Sequence, residues 1–104
     1  MGSSEKEGRK MAVALVYDFP GMTRKHYDII MHDLNVHGNL APGMIFHAAG
    51  EQDDGNWRAV EVWEGLEEWE NFFNEKYSAA LRARRIAFNV TLFPVHNFLH
   101  SWSV

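Results

Sequence analysis

Two histidines, His47 and His96, are the side chains of this sequence best suited to take a proton from a bound molecule. Each lies in an apolar stretch whose alternation is typical of a β-strand. An imidazole in such a stretch must form hydrogen bonds or border a cavity, and imidazoles titrate near neutral pH. We therefore predict that both histidines act as acid–base groups. The alternative is that each is structural, bonded to a backbone carbonyl or to its counterpart across a dimer.

Glu61 and Asn97 are the other polar side chains predicted to take part. Glu61 lies between valines in a strand pattern, on the face that it shares with Trp63. A carboxylate there can act as a base or orient one of the histidines, so we predict Glu61 as a third catalytic residue. An ion pair with Arg58, or with a basic residue across an interface, is the alternative. Asn97 is predicted to bind a substrate carbonyl, although a turn or an edge bulge would explain it equally well.

A set of aromatic residues is predicted to wall the binding pocket. The sequence alternates with the period of a strand from Trp57 to Trp63 and changes to a helical period after Gly65, with aromatic residues down one side. Most of these rings are expected in the core, but some can border a cavity between sheet and helices, where a flat aromatic molecule would stack. The predicted binding residues of this type are Tyr27, Trp63, Trp69, Phe72 and Phe73.

Length, charge and composition exclude several classes of protein. A chain of 104 residues has room for one core, so we predict a single domain at residues 11–104. Residues 1–10 are polar and charged and have no periodicity, so we predict that they form a flexible leader. The net charge of −4 argues against a nucleic-acid partner, and no apolar run approaches the ~20 residues of a membrane span. The sequence has no cysteine, which excludes disulfides and zinc–thiolate sites and favours a cytoplasmic location.

No metal or other cofactor is predicted. His96 and His100 lie four residues apart, which on a strand separates them by ~13 Å, too far to share an ion. His26, His32 and His37 lack the spacing of a helical chelate. Neither an HExxH motif nor a glycine-rich phosphate loop occurs.

The periodicity predicts an α+β fold in which the elements follow the order β-α-β-β-α-β. This is the ferredoxin-like split arrangement, a four-stranded antiparallel sheet with two helices on one face. Pro94 removes a backbone donor, so the last strand should be an edge strand or bulged. The second helix is expected to break or reorient near Tyr77. The strands are predicted at residues 11–19, 44–50, 57–63 and 89–99, and the helices at residues 23–36 and from 65 to about 85.

The sheet face that the helices leave open is predicted to be a dimer interface. Two helices can cover one face of such a sheet, and the other face keeps apolar side chains, such as Phe93 or Phe98, depending on the register. A two-fold homodimer that packs sheet against sheet would bury them.

Four segments carry a resemblance to a known family: YDFPGMT at 17–23, PGMIFHAAG at 42–50, VWEGLEEWENFF at 62–73 and FPVHNFL at 93–99. With their order, they resemble the dimeric α/β-barrel superfamily, in particular its antibiotic-biosynthesis-monooxygenase branch. That resemblance implies a dimer and the oxidation of a small aromatic or polyketide-like molecule without metal or flavin, because the substrate carbanion itself reduces oxygen. The base and polar anchor would be His47, His96 and the tyrosines.

The same superfamily leaves other functions open. It includes cyclases, decarboxylases and proteins without known chemistry, so a non-oxidative cyclase or isomerase and a non-catalytic small-molecule-binding dimer are the alternatives. Its haem-degrading members use a histidine on a helix as the axial ligand. The second helix here has no histidine, and haem is therefore not expected.

Overall fold

A computed structural model of the chain describes residues 11–36 and 38–99. In this part of the chain, four strands form one antiparallel sheet in the order β2-β3-β1-β4, with the helices against one face. This confirms the predicted α+β ferredoxin-like fold. The predicted leader at residues 1–10, and the predictions for His37 and His100, lie outside the described residues. The strands are β1 (Val13–Phe19), β2 (Met44–Glu51), β3 (Trp57–Trp63) and β4 (Asn89–Pro94); the helices are α1 (Arg24–Asp33), α2 (Leu66–Phe72) and α3 (Ser78–Ala83).

β1 lies in the middle of the sheet because both of its faces are apolar. Val13, Leu15, Tyr17 and Phe19 point to the helices and are buried in the core. The strand pairs with β3 on one side and with β4 on the other. The helix-facing side of this strand gains stability from burial along its whole length.

α1 begins where the sequence predicts. The Thr23 side chain accepts a hydrogen bond from the backbone N–H of His26 at 3.1 Å, which satisfies a free donor at the helix N-terminus. Ile30 and Met31 are the buried residues of this helix. The chain leaves the helix through Asn35, whose φ of 60° lies in the left-handed region that asparagine tolerates.

The second helix changes its winding near Tyr77 without a break. A π-helical turn (Phe73–Tyr77) joins α2 to α3, so helical structure runs from Leu66 to Ala83. A π turn widens the helix by one residue and rotates the side chains that follow it. Tyr77 at its end is buried and packs edge-on against Tyr17, with ring centroids 5.4 Å apart.

β4 is an edge strand, as predicted, but the prediction that it runs to residue 99 is wrong. The strand ends at Pro94, which cannot donate to the sheet. The Val95 N–H still bonds to the Ala12 carbonyl at 2.8 Å. His96 and Asn97 come after this point and are exposed, outside any strand.

The register decides which side chains lie on the open sheet face. Phe93 of β4 is opposite Ala14 on this face and is 52% exposed. Asp18 and Arg58 face each other from β1 and β3, and their side chains form an ion pair at 2.8 Å. Arg58 therefore pairs with Asp18, and the alternative pairing with Glu61 is wrong. No helix in the described part of the chain is long and apolar enough to cross a membrane.

Candidate active site

A β-bulge brings His47 to the helix-covered face of the sheet. Met44 is opposite Trp63 and His47 is opposite Glu61, and the register shifts by one residue between Met44 and Phe46. Strict alternation would place Met44 and His47 on opposite faces, because they are three residues apart. The extra residue at the bulge returns both side chains to the same face. His47 and Glu61 thus become a directly opposed cross-strand pair.

A chain of hydrogen bonds links three side chains of this face to a fourth on α1. Glu61 accepts from Trp63 Nε1 at 2.9 Å and from His47 Nδ1 at 2.9 Å. The hydroxyl of Tyr27, on α1, bonds to His47 Nε2. Glu61 is 3% exposed and is the buried charged residue of the described core, so its two donors replace the water that it has lost.

This chain of bonds defines the protonation pattern of His47. Indole is only a donor and a carboxylate is only an acceptor, so His47 Nδ1 carries the proton that faces Glu61. Nε2 then carries no proton, and its lone pair accepts a hydrogen bond from the Tyr27 hydroxyl. Burial and the nearby charge of Glu61 raise the pKa of Tyr27 to about 12. Tyr27 is therefore neutral near pH 7, and His47 Nε2 is the basic atom of the group.

His47 borders a cavity of about 300 Å³ between the sheet and the helices. Its walls are apolar over most of their length, and Glu61 and Tyr77 also line it. A second cavity of about 320 Å³ lies on the α1 side, and His47, Met31 and Val36 line both. The imidazole is 18% exposed, which leaves it accessible to a molecule in either cavity. The other residues that line the 300 Å³ cavity are Met31, Val36, Gly38, Asn39, Leu40, Met44 and Phe72.

Tyr77 contributes a buried hydroxyl that has no hydrogen-bond partner among the described residues. The residue is 2% exposed and lines the 300 Å³ cavity. Burial, and then the proximity of Tyr17, Glu61 and Tyr27, raises the pKa of Tyr77 well above its ordinary value. The hydroxyl therefore stays protonated and can donate. The helical period of the aromatic residues after Gly65 indicates a core position for Tyr77, and it does not indicate a role for the hydroxyl.

The predicted site residues divide into three groups. His47, Glu61, Tyr27 and Trp63 are joined by hydrogen bonds, and Phe72 lines the cavity. Trp69 and Phe73 belong to the core and its packing, and Trp69 Nε1 donates to the Tyr17 hydroxyl at 2.8 Å. His96 and Asn97 are exposed beyond the end of β4, and neither lines a cavity with His47. His96 was placed within a strand by sequence analysis, and that placement is wrong because the strand ends at Pro94.

The residues described by the structure contain no group of three or more His, Asp or Glu side chains arranged to hold a metal ion. What the site does offer is one imidazole whose Nε2 is bonded to the Tyr27 hydroxyl and whose Nδ1 is bonded to the Glu61 carboxylate, with Tyr77 in the wall of the same cavity. Such an arrangement can accept a proton and donate hydrogen bonds to an oxygen atom.

Several solved structures share this fold, although no protein-family model and no curated protein matches the sequence. SnoaB, a cofactor-independent oxygenase from Streptomyces nogalater, aligns with a TM-score of 0.66 at 14% identity, over 88% of this chain and 99% of that chain. A dimeric ferredoxin-like protein of unknown function from Thermobifida fusca aligns with a TM-score of 0.59 at 13% identity, over 84% and 93%. A hydroxynitrile lyase from Passiflora edulis aligns with a TM-score of 0.54 at 16% identity, over 88% and 99%.

At these identities the likeness concerns the fold alone. It confirms the ferredoxin-like architecture and, at the level of fold, the resemblance that the sequence segments suggested. The neighbours include an oxygenase, a lyase and a protein of unknown function, so the fold does not select one activity among them.

Proposed function

We propose that this protein is an enzyme that removes a proton from a small aromatic or polyketide-like molecule and lets the resulting anion react with oxygen, without a metal or an organic cofactor. His47 is the general base in this proposal. The observation that carries it is the Glu61–His47–Tyr27 chain, which presents a basic nitrogen at the wall of an apolar cavity. The similarity of the fold to a cofactor-independent oxygenase supports the choice of oxygen as the second substrate.

The proton path follows from the hydrogen bonds of His47. Tyr27 occupies Nε2 in the free protein, and with a pKa of about 12 it is no base on its own near pH 7. The substrate proton therefore reaches Nε2 through the Tyr27 oxygen, which takes it while its own proton passes to His47. Glu61 lies at the opposite nitrogen and stabilises the imidazolium that forms.

The oxygen step balances without any further reactant. The substrate anion gives one electron to O₂, the radical pair joins as a peroxide, and loss of water leaves a carbonyl. For 1-naphthol the sum is C₁₀H₈O + O₂ → C₁₀H₆O₂ + H₂O, and for 2-tetralone it is C₁₀H₁₀O + O₂ → C₁₀H₈O₂ + H₂O. The substrate carbon is oxidised and O₂ is reduced, so the protein has to supply only the base and an apolar, oriented site.

An oxygen electrode tests the proposal. The wild-type protein should consume O₂ with 1-naphthol or 2-tetralone, and His47→Ala should lower the rate by ~10²-fold or more, the usual contribution of a general base. His96→Ala is the matched control, because that side chain is exposed and lies outside the cavity walls. Loss of activity in the His96 variant with retention in the His47 variant would overturn the assignment.

Non-oxidative chemistry on the same base is the second candidate, and it is supported by the lyase among the fold neighbours. Such an enzyme would act on its substrate under argon at an undiminished rate, whereas the oxygenase would stop after deprotonation. A non-catalytic binder would differ from both. It would bind the same molecules, show no turnover, and lose only affinity in the His47→Ala variant.

We further propose a homodimer that packs through the open sheet face, in the cytoplasm. The dimeric ferredoxin-like fold neighbour and the exposed Phe93 on this face support the dimer, and the absence of cysteine from the sequence is compatible with a reducing compartment. Phe93→Glu should convert the dimer to a monomer in light scattering after gel filtration. Leu40→Glu, at a similarly exposed apolar residue in the loop before β2, at the sheet edge opposite β4, should leave the dimer intact. A wild-type monomer at micromolar concentration would contradict the proposal.

A further inference from the structure

The Tyr77 hydroxyl is the buried polar group of the cavity whose hydrogen-bonding capacity is unused. Its oxygen is buried and has no partner in the part of the chain that the structure describes, although a buried hydroxyl without a partner is destabilising. The other two tyrosines differ from it in this respect. Tyr17 accepts from Trp69 Nε1 at 2.8 Å, and Tyr27 bonds to His47. Tyr77 is one of the residues that line the cavity, so a molecule that binds there and reaches this hydroxyl would supply the missing partner.

We propose that Tyr77 donates a hydrogen bond to the carbonyl or enolate oxygen of the substrate, and that the cavity is built for a neutral cyclic ketone or phenol of one or two rings. This inference rests on the proposed function, because it assigns the second polar contact of the molecule that His47 deprotonates. It makes Tyr77 a catalytic residue that touches the reacting atoms.

The electrostatics of the cavity favour a neutral substrate. Glu61 contributes a carboxylate to the lining, and none of the described lining residues is Lys or Arg. A substrate carboxylate or phosphate would therefore meet a like charge and no counter-ion in an apolar surrounding. A cavity of about 300 Å³ is at the small end of the range for ligand sites, which suits a compact ring system.

The hydrogen bond would strengthen as the reaction proceeds. When the C–H bond of a ketone breaks, its proton passes towards His47, its electron pair forms the C=C bond, and the carbonyl oxygen takes the negative charge. The Tyr77 hydroxyl stays protonated in its buried position and donates to that oxygen. A donor placed in advance where charge develops stabilises the transition state more than the ground state.

Tyr77→Phe tests the proposal because it removes the hydroxyl and keeps the ring. The ring packs edge-on against Tyr17 and Phe73, and these contacts are retained in the variant. Since the hydroxyl has no partner among the residues described, the melting temperature should be equal to that of the wild type or higher. Tyr17→Phe is the matched control, because its hydroxyl is already bonded to Trp69.

Two ligands that differ by one oxygen provide the measurement. Calorimetry under argon should show that Tyr77→Phe weakens 2-tetralone about tenfold, the effect of one hydrogen bond, and leaves the hydrocarbon tetralin unchanged. Tyr17→Phe should leave both affinities unchanged. The carboxylate 2-naphthoate should bind the wild type more weakly than 2-tetralone does.

Three results would overturn the inference. They are equal binding of 2-tetralone to the wild type and the Tyr77→Phe variant, tighter binding of 2-naphthoate, and no binding of 2-tetralone to the wild type at millimolar concentration. Binding without turnover separates this inference from the proposed function. If 2-tetralone binds through Tyr77 but is neither deprotonated nor oxidised, the site assignment stands and the enzyme proposal fails.

Discussion

Replacing Glu61 by glutamine is expected to reverse the tautomer of His47 while the fold stays intact. The amide keeps one oxygen, which must accept from Trp63 Nε1, because indole can only donate. The amide NH₂ then faces His47 Nδ1, so Nδ1 becomes the acceptor and the ring proton moves to Nε2. Nε2 then faces the Tyr27 hydroxyl as a donor and can no longer accept a proton. Activity should fall by about 10²- to 10⁴-fold.

The stability of the Glu61 variants should separate this effect from damage to the fold. Glu61→Gln keeps both hydrogen bonds in changed form, so the free energy of unfolding should fall by only ~1 kcal/mol. Glu61→Ala leaves the buried Trp63 donor and the His47 donor without acceptors, at ~1–3 kcal/mol each, so the free energy of unfolding should fall by roughly 2–6 kcal/mol in total. Urea unfolding measures both values.

The tautomer itself is read by ¹⁵N NMR of protein labelled at histidine. In the wild type, Nδ1 of His47 should have the shift of a protonated nitrogen, and in Glu61→Gln that shift should belong to Nε2. Glu61→Gln with the wild-type tautomer, or with activity within a few fold of the wild type, would refute the argument that the carboxylate orients the ring.

Three further predictions follow from the described residues. Burial raises the pKa values of Tyr17 and Tyr77 well above 10 and that of Tyr27 to about 12, so the folded protein should show no tyrosinate absorbance at pH 10. Unfolded tyrosines ionise near pH 10, so the stabilising contribution of each buried tyrosine is complete below that pH and is lost as the pH rises above it. For Tyr17 and Tyr77 the free energy of unfolding should fall by about 1.4 kcal/mol per pH unit each, which a pH series of urea melts measures. Gly43→Ala should lose ~1–2 kcal/mol more stability than Gly55→Ala in urea melts. Both glycines have φ near +88°, but a Cβ at position 43 would lie 2.8 Å from Glu68 Cβ, whereas a Cβ at position 55 would meet open space. Equal losses of stability in the two variants would contradict this. Tyr27→Phe should lower kcat by ~10-fold or more if the proton passes through the Tyr27 oxygen, and an unchanged or higher kcat would show that the substrate reaches His47 directly.

Periodicity was sufficient to predict the order of the elements and one face of the site. The alternation from Trp57 to Trp63 is regular, so it placed Glu61 on the face of Trp63, where the structure has it. The apolar character of both faces of β1 likewise predicted its central position. These features depend on local sequence, and a local pattern is enough to recognise them.

The rest of the site depends on features that no local pattern carries. A bulge between Met44 and Phe46 determines the face of His47, and a π turn determines where Tyr77 points. Both insert one residue into a regular element without a distinctive residue type. The pairing of Tyr27 with His47 joins a helix to a strand across the core, which spacing within either element cannot show.

His96 shows the opposite error. The apolar pattern continues past Pro94, so the sequence extends the strand to residue 99, and His96 resembles His47 in its surroundings. Proline removes the donor that the sheet requires, and the pairing ends there. The residue type at position 77 is the one sequence feature that indicates a role for its hydroxyl, because a buried tyrosine hydroxyl usually forms a hydrogen bond.

The role of His47 as the base can be measured by the exchange of the α-protons of 2-tetralone for deuterium, followed by ¹H NMR in D₂O under argon. It measures proton removal alone, whether or not oxygen takes part. We expect the wild type to accelerate the exchange, His47→Ala to abolish this acceleration, and His96→Ala to retain it. Exchange that is equally fast with the wild type and His47→Ala, or no faster with the wild type than in buffer, would contradict the assignment of His47 as the base.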